Sequence, residues 1–167
     1  MIDQNSLKKL LEHFSIDLGV SREIDGEGRK DLWIPIHQYR CPSTSLTHSY
    51  GLLSSGDWTP EFGDKKRVRP PCFWPSFFVL LESDKHHVVE QLKESIADLG
   101  LPEVVLYTFP FDSIIIAALS DHRYWRNCAE KWINEGYPLN EGLAELIPKN
   151  KAVLAWKQER LNILFDI

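Results

Sequence analysis

The sequence predicts an α+β fold: a small mixed sheet containing one βαβ unit, with a helical C-terminal third packed on it. Three observations predict it. Strand-like alternation flanks an Asp-Gly turn between residues 20 and 39. Two short apolar runs, Phe77–Glu82 and Val104–Phe109, enclose one amphipathic segment. Beyond residue 110, apolar side chains recur at helical spacing. The 167 residues fit a single domain, 1–167.

Taken in order, Leu7, Leu10, Leu11 and Phe14 form a helical stripe over residues 5–14, with Asn5 or Ser6 as cap and Gly19 as terminator. Val20–Ile24 and Asp31–Tyr39 read as two strands joined through the turn Asp25-Gly26-Glu27-Gly28. Pro35 removes a ladder donor, so the second strand is expected at an edge or at a bulge. Residues 41–76 hold five of the ten prolines and read as a long irregular loop, with a short helix near 46–54. Its aromatic content argues for an ordered loop laid across the core.

Phe77–Glu82, a helix over about 84–99 stopped by Gly100 and Pro102, and Val104–Phe109 make the expected βαβ unit. The rival reading takes Pro75–Glu82 as a helix, because proline suits a first helical turn. Asp112 and Asp121 are placed to cap two further helices. The first is apolar on nearly every side through Ile114–Leu119. The second has a stripe of Trp125, Cys128, Ala129, Trp132 and Ile133, and ends at Gly136 and Pro138. Trp132 is expected to be more than about 80% buried and to touch a last helix near Trp156 or Leu161, as large aromatics in cores are. Helices are also expected over 140–147 and 151–165.

Three cysteines without a Cys-x-x-Cys pair argue against a disulfide framework and for a reducing compartment. The polar N-terminus does not resemble a signal peptide, and no apolar run reaches the ~20 residues that span a bilayer. The expected location is cytoplasmic, with no membrane partner. The net charge of −5 argues against nucleic acid.

No sequence motif carries a reaction. The six histidines lack the spacing that puts two imidazoles on one helical face, so no metal is expected. Phosphate-binding glycine motifs and a Gly-x-Ser-x-Gly elbow are absent, and no cofactor is expected. The leading expectation is a small acidic protein-interaction module without catalytic activity. It binds a protein partner through the 41–76 loop, with Trp58, Phe62, Lys65, Lys66, Arg67 and Trp74 as contact residues. Basic residues beside aromatics suit an acidic partner. The alternative is a hydrolase or transferase whose site lies between that loop and the βαβ unit, with His37, His48, Asp57 and Cys72 as the candidate catalytic groups.

Overall fold

The computed structural model of the protein describes residues 4–63 and 66–138. The chain divides into two compact units, Met1–Pro110 and Phe111–Ile167. The fold class is α+β, as expected.

In the first unit, α1 (Gln4–Leu18) buries Leu7 and Leu11. The helix has already begun at Gln4, so Asn5 and Ser6 lie in its first turn rather than ahead of it. At Gly19 a Cβ would meet the Ser15 carbonyl oxygen at 2.5 Å, so the chain leaves the helix where only glycine fits. Five strands follow: β1 (Val20–Glu23), β2 (Lys30–Arg40), β3 (Thr47–Leu53), β4 (Trp58–Phe62) and β5 (Arg67–Val68). They pair antiparallel in sequence order. Gly26 and Gly28 take positive φ in the β1–β2 turn, which the Asp-Gly signal anticipated. Beyond β1, Ile24 forms a parallel bridge with Val68, and the Asp25 N–H donates to the Val68 carbonyl at 3.0 Å. The sheet thus curls until its two end strands meet.

β2 is an inner strand, and it tolerates Pro35 through a bulge: Pro35 pairs with Gly51 while His37 pairs with Tyr50. Cross-strand partners share a face, so Ile34, His37, Tyr39, Tyr50, Leu52 and Trp58 lie on one side. That side is covered by helices. Tyr50 stacks on Phe77, Trp58 meets Phe109 edge-on, and His37 bonds Ser95. Ile24, Trp33, Leu53 and Val68 form a small core on the inner, curled side.

The long irregular loop expected over 41–76 instead carries three strands, β3, β4 and β5, joined by turns, and the short helix expected near 46–54 is the strand β3. The alternation that would reveal β3 is missing because Tyr50, Gly51, Leu52 and Leu53 are buried on both faces. The βαβ unit does not form. Both of its expected strands are 3-10 helices, Trp74–Glu82 and Glu103–Thr108. Short apolar runs carry no period that separates strand from helix. Pro75 in the first turn of Trp74–Glu82 favours the helical alternative that the sequence also allowed. Between them, α2 (Lys85–Asp98) matches expectation. The Asp84 carboxylate caps it by accepting from the His86 and His87 amides. Gly100 closes it, with its amide on Ala97 and that of Leu101 on Ile96, the paired bonds of a Schellman end.

The second unit contains α3 (Phe111–Ser120) and α4 (Arg123–Asn134). None of Ile114–Leu119 is exposed. Asp112 sits inside the first turn of α3, and its carboxylate accepts the Tyr137 hydroxyl. Burial and that carboxylate both push the Tyr137 phenol upward from its ordinary value. Asp121 does not cap α4. The capping position is His122, and Asp121 accepts the His122 amide from one residue further out. Ala129, Trp132 and Ile133 are fully buried. Gly136 and Tyr137 close α4 with the same paired bonds as α2, to Ile133 and Trp132. The expected helices at 140–147 and 151–165, with Trp156 and Leu161, lie outside the described residues.

One stretch among the described residues, Glu103–Ser120, is apolar enough for a membrane span, with mean hydropathy 1.5. Its helical structure is interrupted between Thr108 and Phe111, and Pro110 supplies no amide donor there.

Candidate functional site

The region from β3 to the first 3-10 helix builds three separate concavities in the first unit. The first is a groove of about 190 Å³ lined by His48, Pro60, Glu61, Phe62, Arg69, Pro75, Ser76 and Val79. At its rim the Arg69 guanidinium lies 3.8 Å from the Phe62 ring centre and 5.1 Å from that of Phe73. Arg67 approaches Phe62 at 5.3 Å. Both arginines converge on one carboxylate, with Arg67 at 2.9 Å from Asp25 and Arg69 at 3.1 Å. The β1–β2 turn presents Asp25 there because the curled sheet brings Ile24 against Val68. Phe73 remains 41% exposed.

The second is a pocket of about 90 Å³ that includes Asp57, Trp58, Cys72, Trp74 and Thr108. Asp57 accepts the Ser55 hydroxyl at 2.6 Å. Cys72 is an exposed free thiol at φ +67°, a conformation that costs a non-glycine residue energy and recurs at functional positions. No histidine lines the pocket.

The third is a trough of about 390 Å³ on the inner side of the sheet, bounded by Arg22, Trp33, Gln38, Ser49, Glu61 and Lys66 among others.

Of the four catalytic candidates, Asp57 and Cys72 meet in one pocket. His37 and His48 lie outside it, on one face of the sheet, where His37 pairs with Tyr50 and His48 with Tyr39. His37 is 5% exposed, its Nδ1 lies 2.9 Å from Ser95 Oγ, and its Nε2 has no partner among the described residues. Burial lowers its pKa to about 4. His48 stacks on Tyr50, and burial lowers its pKa against the opposing pull of Glu82.

Of the contact candidates, Phe62 and Arg67 touch. Lys66 borders the trough, at φ +49°. Trp58 belongs to the core at 4% exposure, with Nε1 donating to Thr108 Oγ1 at 3.0 Å, so its ring is not offered to a partner. Trp74 is half-buried beside Phe77. Lys65 lies outside the described residues.

Sequence reasoning missed Asp25 as the shared acid of the arginine pair, and it missed the contact of Glu82 with Cys41 and Ser43. The buried Cys41 thiol donates to Glu82 Oε2 at 3.3 Å and the Ser43 hydroxyl to Oε1 at 3.0 Å. The partners are about 40 residues apart in sequence, and no local pattern links them. Among the described residues no three His, Cys, Asp or Glu side chains converge as a metal ion would need. No protein-family model, curated protein or solved structure matches this chain.

Proposed function

We propose that the protein is a cytoplasmic protein-interaction module without catalytic activity, docking an acidic protein partner on the surface around Phe62, Arg67, Arg69 and Phe73. The observation that carries this reading is Arg69 held between two partly exposed phenylalanines at the rim of a shallow groove. Arginine and aromatic side chains are the residues most enriched at the energetic centres of interfaces. Two guanidinium groups share one carboxylate, which leaves a positive excess in this three-residue cluster on an otherwise acidic chain. Such a patch attracts acidic surfaces and slows wrong encounters. Three cysteines outside any disulfide suit a reducing compartment.

The test is affinity purification from the native host with wild type and the Arg69→Ala/Phe73→Ala variant side by side. A stoichiometric acidic protein, recovered by the first and lost by the second at unchanged melting temperature, is the expected result. Recovery of clean monomer, or of the same partner by both proteins, counts against the reading.

A hydrolase or transferase is the second reading. It rests on Asp57 and Cys72 sharing one pocket. There the Cys72 thiol acts as nucleophile with Asp57 as the nearby base. Alkylation of Cys72 at a rate no faster than that of a free thiol, unchanged in Asp57→Asn, would remove its basis.

A further inference from the structure

We propose that the trough on the inner side of the sheet is a binding site for a small molecule carrying an anionic oxo-group, a carboxylate or a phosphate. Its volume of about 390 Å³ falls within the range of small-molecule sites.

Arg22 and Glu61 neutralise each other at 2.5 Å. That pairing also fixes the guanidinium: Nε donates to Glu61, Nη1 donates to the Ser21 carbonyl, and the plane lies 5.7 Å from the Trp33 ring centre. Nη2 makes no bond among the described residues, so it is a donor held in place without an acceptor. Arg22 is 19% exposed, which limits how well water replaces one.

Around it, the Gln38 and Ser49 side chains have no hydrogen-bond partner, and Lys66 has no ion pair, among the described residues. With Arg22 and Glu61 cancelling, Lys66 leaves the described lining of the trough one positive charge in excess. Donors from β1, β2, β3 and the β4–β5 turn therefore border one space with no unneutralised carboxylate among the described residues that line it. A fixed guanidinium, a hydroxyl, an amide and an ammonium make a charge-assisted set suited to an oxo-anion.

The test is amide chemical-shift mapping of the full chain, titrated at constant ionic strength with inorganic phosphate and, separately, with succinate. Saturable shifts at Gln38, Ser49 and Lys66 are expected with at least one probe. Phosphate alone would identify a phosphoryl group, succinate alone a carboxylate, and both a general oxo-anion site. Lys66→Asn keeps a residue tolerant of the left-handed backbone and removes the charge. Lys66→Asn and Ser49→Ala should each weaken binding by about tenfold, with melting temperatures near wild type. Shifts that stay linear, that spread over other surface lysines, or that persist unchanged in both variants would overturn the site, as would the absence of shifts with either probe.

Discussion

The two sides of the curled sheet are made from the same strands and serve different ends. On the outer side, Ile34, Tyr50, Leu52 and Trp58 are almost wholly buried beneath helices, and burial lowers the pKa of His37 among them to about 4. On the inner side, a small apolar cluster around Trp33 fills one end. The other end is left open and bordered by Arg22, Gln38, Ser49 and Glu61. The difference teaches where stability and recognition are kept. The covered side spends its side chains on packing. The open side keeps hydrogen-bonding groups that the fold itself does not use.

Substitutions can break or sharpen that contrast. The largest effect is expected on the covered side. Tyr50 is fully buried, stacks at 5.1 Å on Phe77 and donates to the Ser76 carbonyl. Tyr50→Ala should cost roughly 3–5 kcal/mol, much of a typical ~5–15 kcal/mol total, read by denaturant titration. Trp132→Ala in the second unit, also at 0% exposure, should cost a similar amount. A thermal midpoint unchanged in Trp132→Ala would show that the stripe on α4 is not a packing surface.

His37 comes next. Its folded pKa is depressed from 6.5 to about 4, so the unfolded chain takes up a proton first as pH falls. The stability it permits is complete above pH 6.5 and is lost on descent toward pH 4. The loss approaches about 3 kcal/mol, at ~1.4 per unit. Measured unfolding free energies at the two ends of that window should differ less in His37→Gln than in wild type by about this amount. Equal slopes would show that His37 is protonated in the fold.

Gly51 joins the two sides. A Cβ there would lie 2.2 Å from the Ile34 carbonyl oxygen and 2.6 Å from the Trp33 ring. Gly51→Ala should cost roughly 1–3 kcal/mol and should disturb Trp33 fluorescence, because backbone cannot yield as a flexible side chain does. The smallest effect on stability belongs to Arg69→Ala and Phe73→Ala, which lie at the surface and should stay within about 1 kcal/mol of wild type. A larger loss would make that arginine–phenylalanine cluster a part of the scaffold rather than a contact surface.

Legibility in the sequence followed the strength of the local signal. The β1–β2 turn, α2 and α4 were readable because glycine stops and a helical stripe act within a few residues, whereas the aspartate caps expected at Asp112 and Asp121 did not form. The residues from 41 to 76 were not, since β3 is buried on both faces and β5 is two residues long. The two 3-10 helices were misread as strands because each is a short apolar run without a clear period. The candidate sites were legible only as residue types. Phe62 and Arg67 were named, but Asp25, which both arginines need, joins them through the closure at Val68. The Arg22–Glu61 pair spans 39 positions and has no signature in either neighbourhood.

The bulge between Pro35 and His37 bears on how the chain length of β2 can change. With Ile36 in place, Pro35 pairs with Gly51 and His37 with Tyr50, as though Ile36 were an extra residue. A deletion of Ile36 would therefore leave every other β2 side chain on its present face. An in-register strand that kept Ile36 would turn His37 and Tyr39 toward the trough and send Gln38 and Arg40 beneath the helices. A one-residue gap at this point is the length change the sheet is built to absorb, and the same gap two or three positions away is one it would not survive.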